Sequence, residues 1–166
     1  MRFYCRFFNR GLLLSTLLSF AVFAAEEGDQ TIVTITGILV DAPECTVADG
    51  NTITVDFGDS VVTRQIDGIN FREEIKYNLT CKSLSSNAIR LAIRGETAWT
   101  ADILKTNYPN LGIKLYKGTE ALSPGEFINF YYPAQPSLYA VPVTNDASQL
   151  SAGAFNGFAT MVFEYQ

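Results

Sequence analysis

The feature that most constrains this chain is alternation with a period of two. Gln30 to Val40 reads Q-T-I-V-T-I-T-G-I-L-V, rich in β-branched residues and bounded by Gly28-Asp29 and Asp41-Ala42-Pro43. Asn51 to Phe57 places Ile53, Val55 and Phe57 on one face before a turn at Gly58-Asp59. Glu74 to Cys81 does the same with Ile75, Tyr77, Leu79 and Cys81, and Ala88 to Arg94 with Ile89, Leu91 and Ile93. Leu111 to Tyr116, Phe127 to Tyr132 and Phe155 to Tyr165 complete the series. Successive side chains of a strand point to opposite faces, so this spacing predicts half-buried strands, and no long segment follows the 3.6-residue helical period. Short strands separated by turn residues predict an all-β sandwich of the immunoglobulin kind. Thr97 to Lys105 is expected to form a helical turn with Trp99 as a core plug. Pro133, Pro136 and Pro142 are expected to break the region before the last strand into loop and short edge pieces.

The first residues stand outside this pattern. Met1 to Arg10 carries Arg2, Arg6 and Arg10 and no acid, Leu12 to Phe23 is apolar, and Val22-Phe23-Ala24 offers a small residue at the end. That is the layout of a secretory signal peptide, and the apolar run falls short of the roughly 20 residues a spanning helix needs. Cleavage is expected after Ala24, so that residues 1–24 form the signal, 25–41 an N-terminal extension and 42–166 the folded domain. Cys5 leaves with the signal. Cys45 and Cys81 remain, and two cysteines in an exported chain are expected to form one disulfide.

Enzyme chemistry finds little footing. The sequence has no histidine, which removes Ser-His-Asp and Cys-His catalysis and most zinc sites. No phosphate-binding loop, dinucleotide fingerprint or nucleophile elbow is present. Glu73 and Glu74 are adjacent, and in a strand adjacent residues face opposite ways, so they make no carboxylate pair. No catalytic residue, cofactor or metal is expected. The net charge of −5 lacks the basic footprint of a nucleic-acid-binding protein.

The two ends of the chain belong together. On one face the C-terminal strand carries Phe155, Gly157, Ala159, Met161, Phe163 and Tyr165, and it stops one residue later at Gln166. So apolar a strand is expected to be a paired interior strand or one waiting for a partner. The segment before Cys45 is its complement: Thr31, Val33, Ile35, Gly37 and Leu39 project one way. Pattern alone also fits an ordinary first strand of the sandwich.

Together these features resemble the pilins of the chaperone–usher fimbrial family. The resemblance covers essentially the whole mature chain. It is carried by T-I-V-T-I-T-G-I-L-V ahead of P-E-C-T-V, V-D-F-G-D before I-D-G-I-N-F, Y-N-L-T-C at the second cysteine, and Leu138-Tyr-Ala-Val-Pro-Val143. The ending also fits, with Gly153 fourteenth from the C-terminus and Tyr165 penultimate.

The resemblance implies an incomplete immunoglobulin-like sandwich of six strands whose seventh is supplied in trans. A periplasmic chaperone would fill the gap first and hold the Gln166 carboxylate. At an outer-membrane usher the N-terminal extension of the next pilin would replace it. Thr31, Val33, Ile35, Gly37 and Leu39 would then enter a neighbour's groove. Gly153, Phe155, Ala159, Met161, Phe163, Tyr165 and Gln166 would form this subunit's own acceptor and chaperone-binding surface. The expected location is a fimbrium on the cell surface, reached through the periplasm. V-D-F-G-D and I-D-G-I-N-F resemble minor or adaptor pilins more than a major subunit. The alternative is a secreted immunoglobulin-like carbohydrate-binding module, with Tyr108, Tyr116, Phe130, Tyr131, Tyr132 and Tyr139 as its platform.

Overall fold

A computed structural model describes residues 31–39 and 44–166. The signal sequence with its cleavage after Ala24, Cys5, and the extension residues 25–30 and 40–41 lie outside the described residues. Among the described residues ten short strands and three single 3-10 turns account for the regular structure, the strands being β1 (Glu44–Val47), β2 (Glu73–Glu74), β3 (Leu79–Lys82), β4 (Ala88–Arg94), β5 (Ile103–Lys105), β6 (Leu111–Lys117), β7 (Glu120–Leu122), β8 (Ile128–Tyr131), β9 (Leu138–Thr144) and β10 (Thr160–Tyr165). The fold is all-β, as alternation requires.

The strands form a two-stranded sheet β1-β3, a three-stranded sheet β10-β4-β8 and a five-stranded sheet in which β2-β9-β6-β5 run in order and β7 pairs with β6. Every pairing is antiparallel. The longest ladder, β6 on β9, runs from Leu111↔Thr144 to Lys117↔Leu138. Between the sheets lies the core, where Ile89, Leu91 and Ile93 of β4 meet Leu115 of β6 and Leu138 and Ala140 of β9. Ile89, Leu91 and Leu138 are fully buried. At roughly 1.5–3 kcal/mol for each large aliphatic taken out of water, this layer is the main stabilising term.

Four expectations need correction. Glu74–Cys81 is not one strand: β2 pairs with β9 and β3 with β1, so the chain changes sheets between them. Ile75, Tyr77 and Leu79 nevertheless stay buried on the inward face. Thr97–Lys105 holds no helical turn, because Ile103–Lys105 is β5 on the edge of β6 and Thr97 bridges back to Leu104. Trp99 is 38% exposed and no core plug. Its ring covers Gly112, where an added Cβ would stand 3.2 Å from the indole edge.

The fourth concerns Pro142, which lies fully buried inside the seven-residue β9. Ile75 N–H donates to the Leu138 carbonyl at 2.8 Å, so even-numbered residues of β9 turn their backbone groups toward β2. The β2 ladder stops at Glu73↔Ala140. The missing N–H of Pro142 therefore faces a side with no strand to bond among the described residues, and the ladder to β6 loses nothing.

Candidate functional site

Asn51–Phe57 shows why a strand pattern and a strand are different things. Ile53, Val55 and Phe57 are half-buried and alternate with exposed residues, as expected. Yet the segment belongs to no ladder, and among the described residues no backbone hydrogen bond joins 52–57 to another strand. Among the described residues it is an extended edge without a neighbour. The Cys45–Cys81 disulfide, half-buried in the β1–β3 ladder, anchors the chain just before it. This cross-link pins the start of the edge to the body.

A second unpaired edge faces it. β10 pairs with β4 on one side, from Thr160↔Arg94 to Tyr165↔Ile89, and with nothing on the other among the described residues. Gln166 N–H donates to the Ala88 carbonyl at 3.1 Å, which turns the even-numbered backbone groups of β10 toward β4. By the alternation of an antiparallel ladder, the N–H and C=O groups of Met161, Phe163 and Tyr165 point the other way. Upstream of Thr160 the wall leaves β4 and bridges to the end of β5 through Thr106↔Gly157.

Between these edges runs a groove of about 620 Å³. Val55 and Phe57 line one wall, and Phe155, Ala159 and Met161 the other. Its floor is the core itself, with Ile75, Ile93, Leu104, Ile113, Leu115 and Ala140 contributing from both large sheets. Phe57 and Phe155 approach to 5.7 Å between ring centroids. The groove thus combines an apolar floor with two lines of unbonded backbone, the condition under which a sheet edge recruits a further strand.

The expected acceptor residues separate into two sets. Phe155, Ala159 and Met161 line the groove. Phe163 turns inward against Tyr77, with centroids 6.0 Å apart, and Tyr165 and Gln166 continue β10 along β4 beyond the groove. Gly153 lies upstream against Tyr108, whose hydroxyl would stand 2.7 Å from an added Cβ. Sequence reasoning missed the opposite wall and the floor as parts of this site, above all Leu104, Ile113 and Leu115. The alternation of Ile113 and Leu115 was legible while Leu104 fell in the expected helical turn, and nothing local says that a core residue has no strand above it.

Residues 31–39 adopt no ladder among the described residues, and Ile32, Val33, Ile35, Ile38 and Leu39 are all highly exposed. Ile35 is 91% exposed. A Cβ built at Gly37 meets no atom within 4 Å.

Charge plays a small part at the groove. Lys105 lies on its rim, and its ammonium meets Glu96 at 2.8 Å, holding that carboxyl below its ordinary range. Burial pushes the phenol of Tyr77 well above its ordinary pKa, while its hydroxyl donates to the Pro136 carbonyl at 2.6 Å. No cluster of metal-ligating residues occurs among the described residues. The aromatic residues divide between the sheets, Tyr116 and Tyr139 pairing across β6 and β9 while Phe130 and Tyr131 lie on β8. The Arg72 guanidinium stacks 4.9 Å over Tyr116 and 4.0 Å over Tyr139, Phe130 and Tyr132 pack against the core, and Tyr131 stands exposed.

Comparison with known proteins agrees with this architecture. The family model described as fimbrial protein matches residues 33–166. The uncharacterized fimbrial-like protein YfcR of Escherichia coli strain K12 is 33% identical over 94% of this chain and 92% of its own. YfcQ of the same strain is 30% identical over 91% and 96%. Among solved structures, the P pilus adaptor subunit PapF superposes with a TM-score of 0.58 at 24% identity, over 74% of this chain and 95% of its own. The P pilus rod subunit PapA gives 0.58 at 19% identity, over 81% and 100%. With a dedicated family model spanning its folded part and two fimbrial-like relatives along nearly its full length, the chain belongs to the fimbrial protein family, a family of structural subunits and not of enzymes.

Proposed function

We propose that this chain is a subunit of a surface fimbria assembled by strand exchange along the chaperone–usher route. The observation that carries the reading is the open groove, with Asn51–Phe57 and Phe155–Met161 as facing edges and the hydrophobic core as its floor. A strand entering there gains main-chain hydrogen bonds from the edges and specificity from pockets that receive alternate side chains. In the periplasm a chaperone strand occupies the groove, and at the outer-membrane usher a neighbouring subunit's extension replaces it. Residues 25–41 of this chain act as the extension for the next acceptor, with Thr31, Val33, Ile35, Gly37 and Leu39 directed into it. Because each subunit gives one strand and accepts one, the contact is heterologous and does not close, which generates a filament.

Within the fibre we place the chain as a minor or adaptor subunit that supports adhesion. The motifs V-D-F-G-D and I-D-G-I-N-F support that placement. The fold likeness does not discriminate, being equal for an adaptor and a rod subunit.

The test is a substitution at Gly37, where an added Cβ meets no described atom within 4 Å. Gly37→Arg should leave expression, the disulfide and co-purification with a periplasmic fimbrial chaperone intact, yet exclude the subunit from surface fibres. Incorporation at the wild-type level would overturn the reading.

A further inference from the structure

Asn107 follows β5 and Asn156 precedes β10, and the two meet at one end of the groove. The Asn107 N–H donates to the Asn156 carbonyl at 2.9 Å, and the Asn156 N–H donates to Asn107 Oδ1 at 2.7 Å. The Thr106↔Gly157 bridge lies beside this reciprocal pair. Close approach is possible because a Cβ at Gly157 would stand only 3.0 Å from the Lys105 carbonyl oxygen. Tyr108 extends the contact by donating from its hydroxyl to the Ala152 carbonyl at 3.3 Å.

Resting on the strand-acceptor reading, we infer that Asn107 is a positioning residue for the incoming strand: its side-chain oxygen clamps the Phe155–Phe158 end of the groove wall. The sheet β10-β4 stops at Thr160↔Arg94, so no β4 neighbour steadies this stretch. The reciprocal pair consumes both backbone groups of Asn156 on the β5 side. By alternation, the N–H and C=O of Phe155, Gly157 and Ala159 then point into the groove, in phase with Met161, Phe163 and Tyr165 below them. Without the clamp the stretch is held by one backbone bond and one bridge. A rotation there by one residue turns the bonding groups away from the groove, as a register slip does in any strand. The clamp thus orders the wall before the strand arrives, and the ordering cost does not fall on binding.

The side chains predict a contrast. Asn107 acts through Oδ1, whereas Asn156 acts only through its backbone. The mature disulfide-bonded chain is titrated with a synthetic peptide of residues 29–41 and with versions shortened at either end. Asn107→Ala should weaken the full peptide about two- to tenfold, the worth of one net hydrogen bond. Asn107→Asp keeps the acceptor oxygen and should retain wild-type affinity. One shortened peptide, the one that no longer reaches Phe155–Gly157, should bind wild type and Asn107→Ala alike. Unchanged affinity in Asn107→Ala, or equal losses with every peptide, would overturn the role of Asn107 and leave the groove reading standing. A wild-type chain that binds neither these peptides nor a periplasmic fimbrial chaperone would overturn the strand-acceptor reading itself.

Discussion

Occupying the groove should raise the stability of the isolated subunit by an amount that depends on one side chain. Ile35 is 91% exposed in the extension, and in an acceptor groove it would lie on a floor such as Leu104, Ile113 and Leu115 provide. A ligand that binds only the folded state at 100 times its Kd stabilises by about 2.7 kcal/mol. For a domain the size of residues 42–166, that corresponds to a rise in Tm of about 8–14 °C. Ile35→Ala in the peptide removes three carbons at about 0.8 kcal/mol each, or about 2.4 kcal/mol, which raises Kd by about 60-fold. At unchanged peptide concentration the stabilisation then falls to about 0.6 kcal/mol, and most of the shift disappears. Thr36→Ala alters the opposite face and should leave the shift nearly intact. Differential scanning fluorimetry of the mature chain with the peptide of residues 29–41 and its two variants measures all three. Equal shifts for the Ile35 and Thr36 variants would refute the assigned face, and no shift with the parent peptide would refute occupation of this groove by this extension.

Two further outcomes follow from the body of the subunit. Replacing Cys45 and Cys81 together by Ser opens a loop closed over a separation of 36 residues, and the urea midpoint should fall by the equivalent of about 4 kcal/mol in the chain-entropy model. Tyr77→Phe leaves the Pro136 carbonyl without its donor and should cost about 1 kcal/mol in equilibrium unfolding. The same phenol governs alkaline stability. Its folded pKa is raised above the ordinary 10.0 by burial, so its contribution is complete below pH 10 and is lost as the pH climbs toward the folded value. Tyr77→Phe should therefore flatten the alkaline limb of the stability curve, and an unchanged limb would assign that loss to other groups.

Alternation proved a reliable guide to faces and a poor guide to partners. Ile89, Leu91 and Ile93 turn inward as their spacing requires, and so do Ile75, Tyr77 and Leu79 even where the chain leaves one sheet for another. The cysteines meet directly across β1 and β3. Pro142 misled because a proline is excluded from a ladder only when its nitrogen faces a neighbour, and the shortness of β2 removes that neighbour. Thr97–Lys105 misled because the edge of β6 was available to capture Ile103–Lys105 as a strand.

The residues of this chain by themselves determined where it extends, which side chains are apolar on each face, and that one cysteine pair closes the body. Those properties are steric and local, set within two residues of each position. Only the tertiary structure decided that 51–57 and the free side of β10 lack neighbours among the described residues, and that the Phe155–Phe158 stretch turns from β4 to β5. A hydrogen-bond partner is a non-local matter: an edge stays open when no other segment pairs with it, and among the described residues that leaves the core uncovered along one groove.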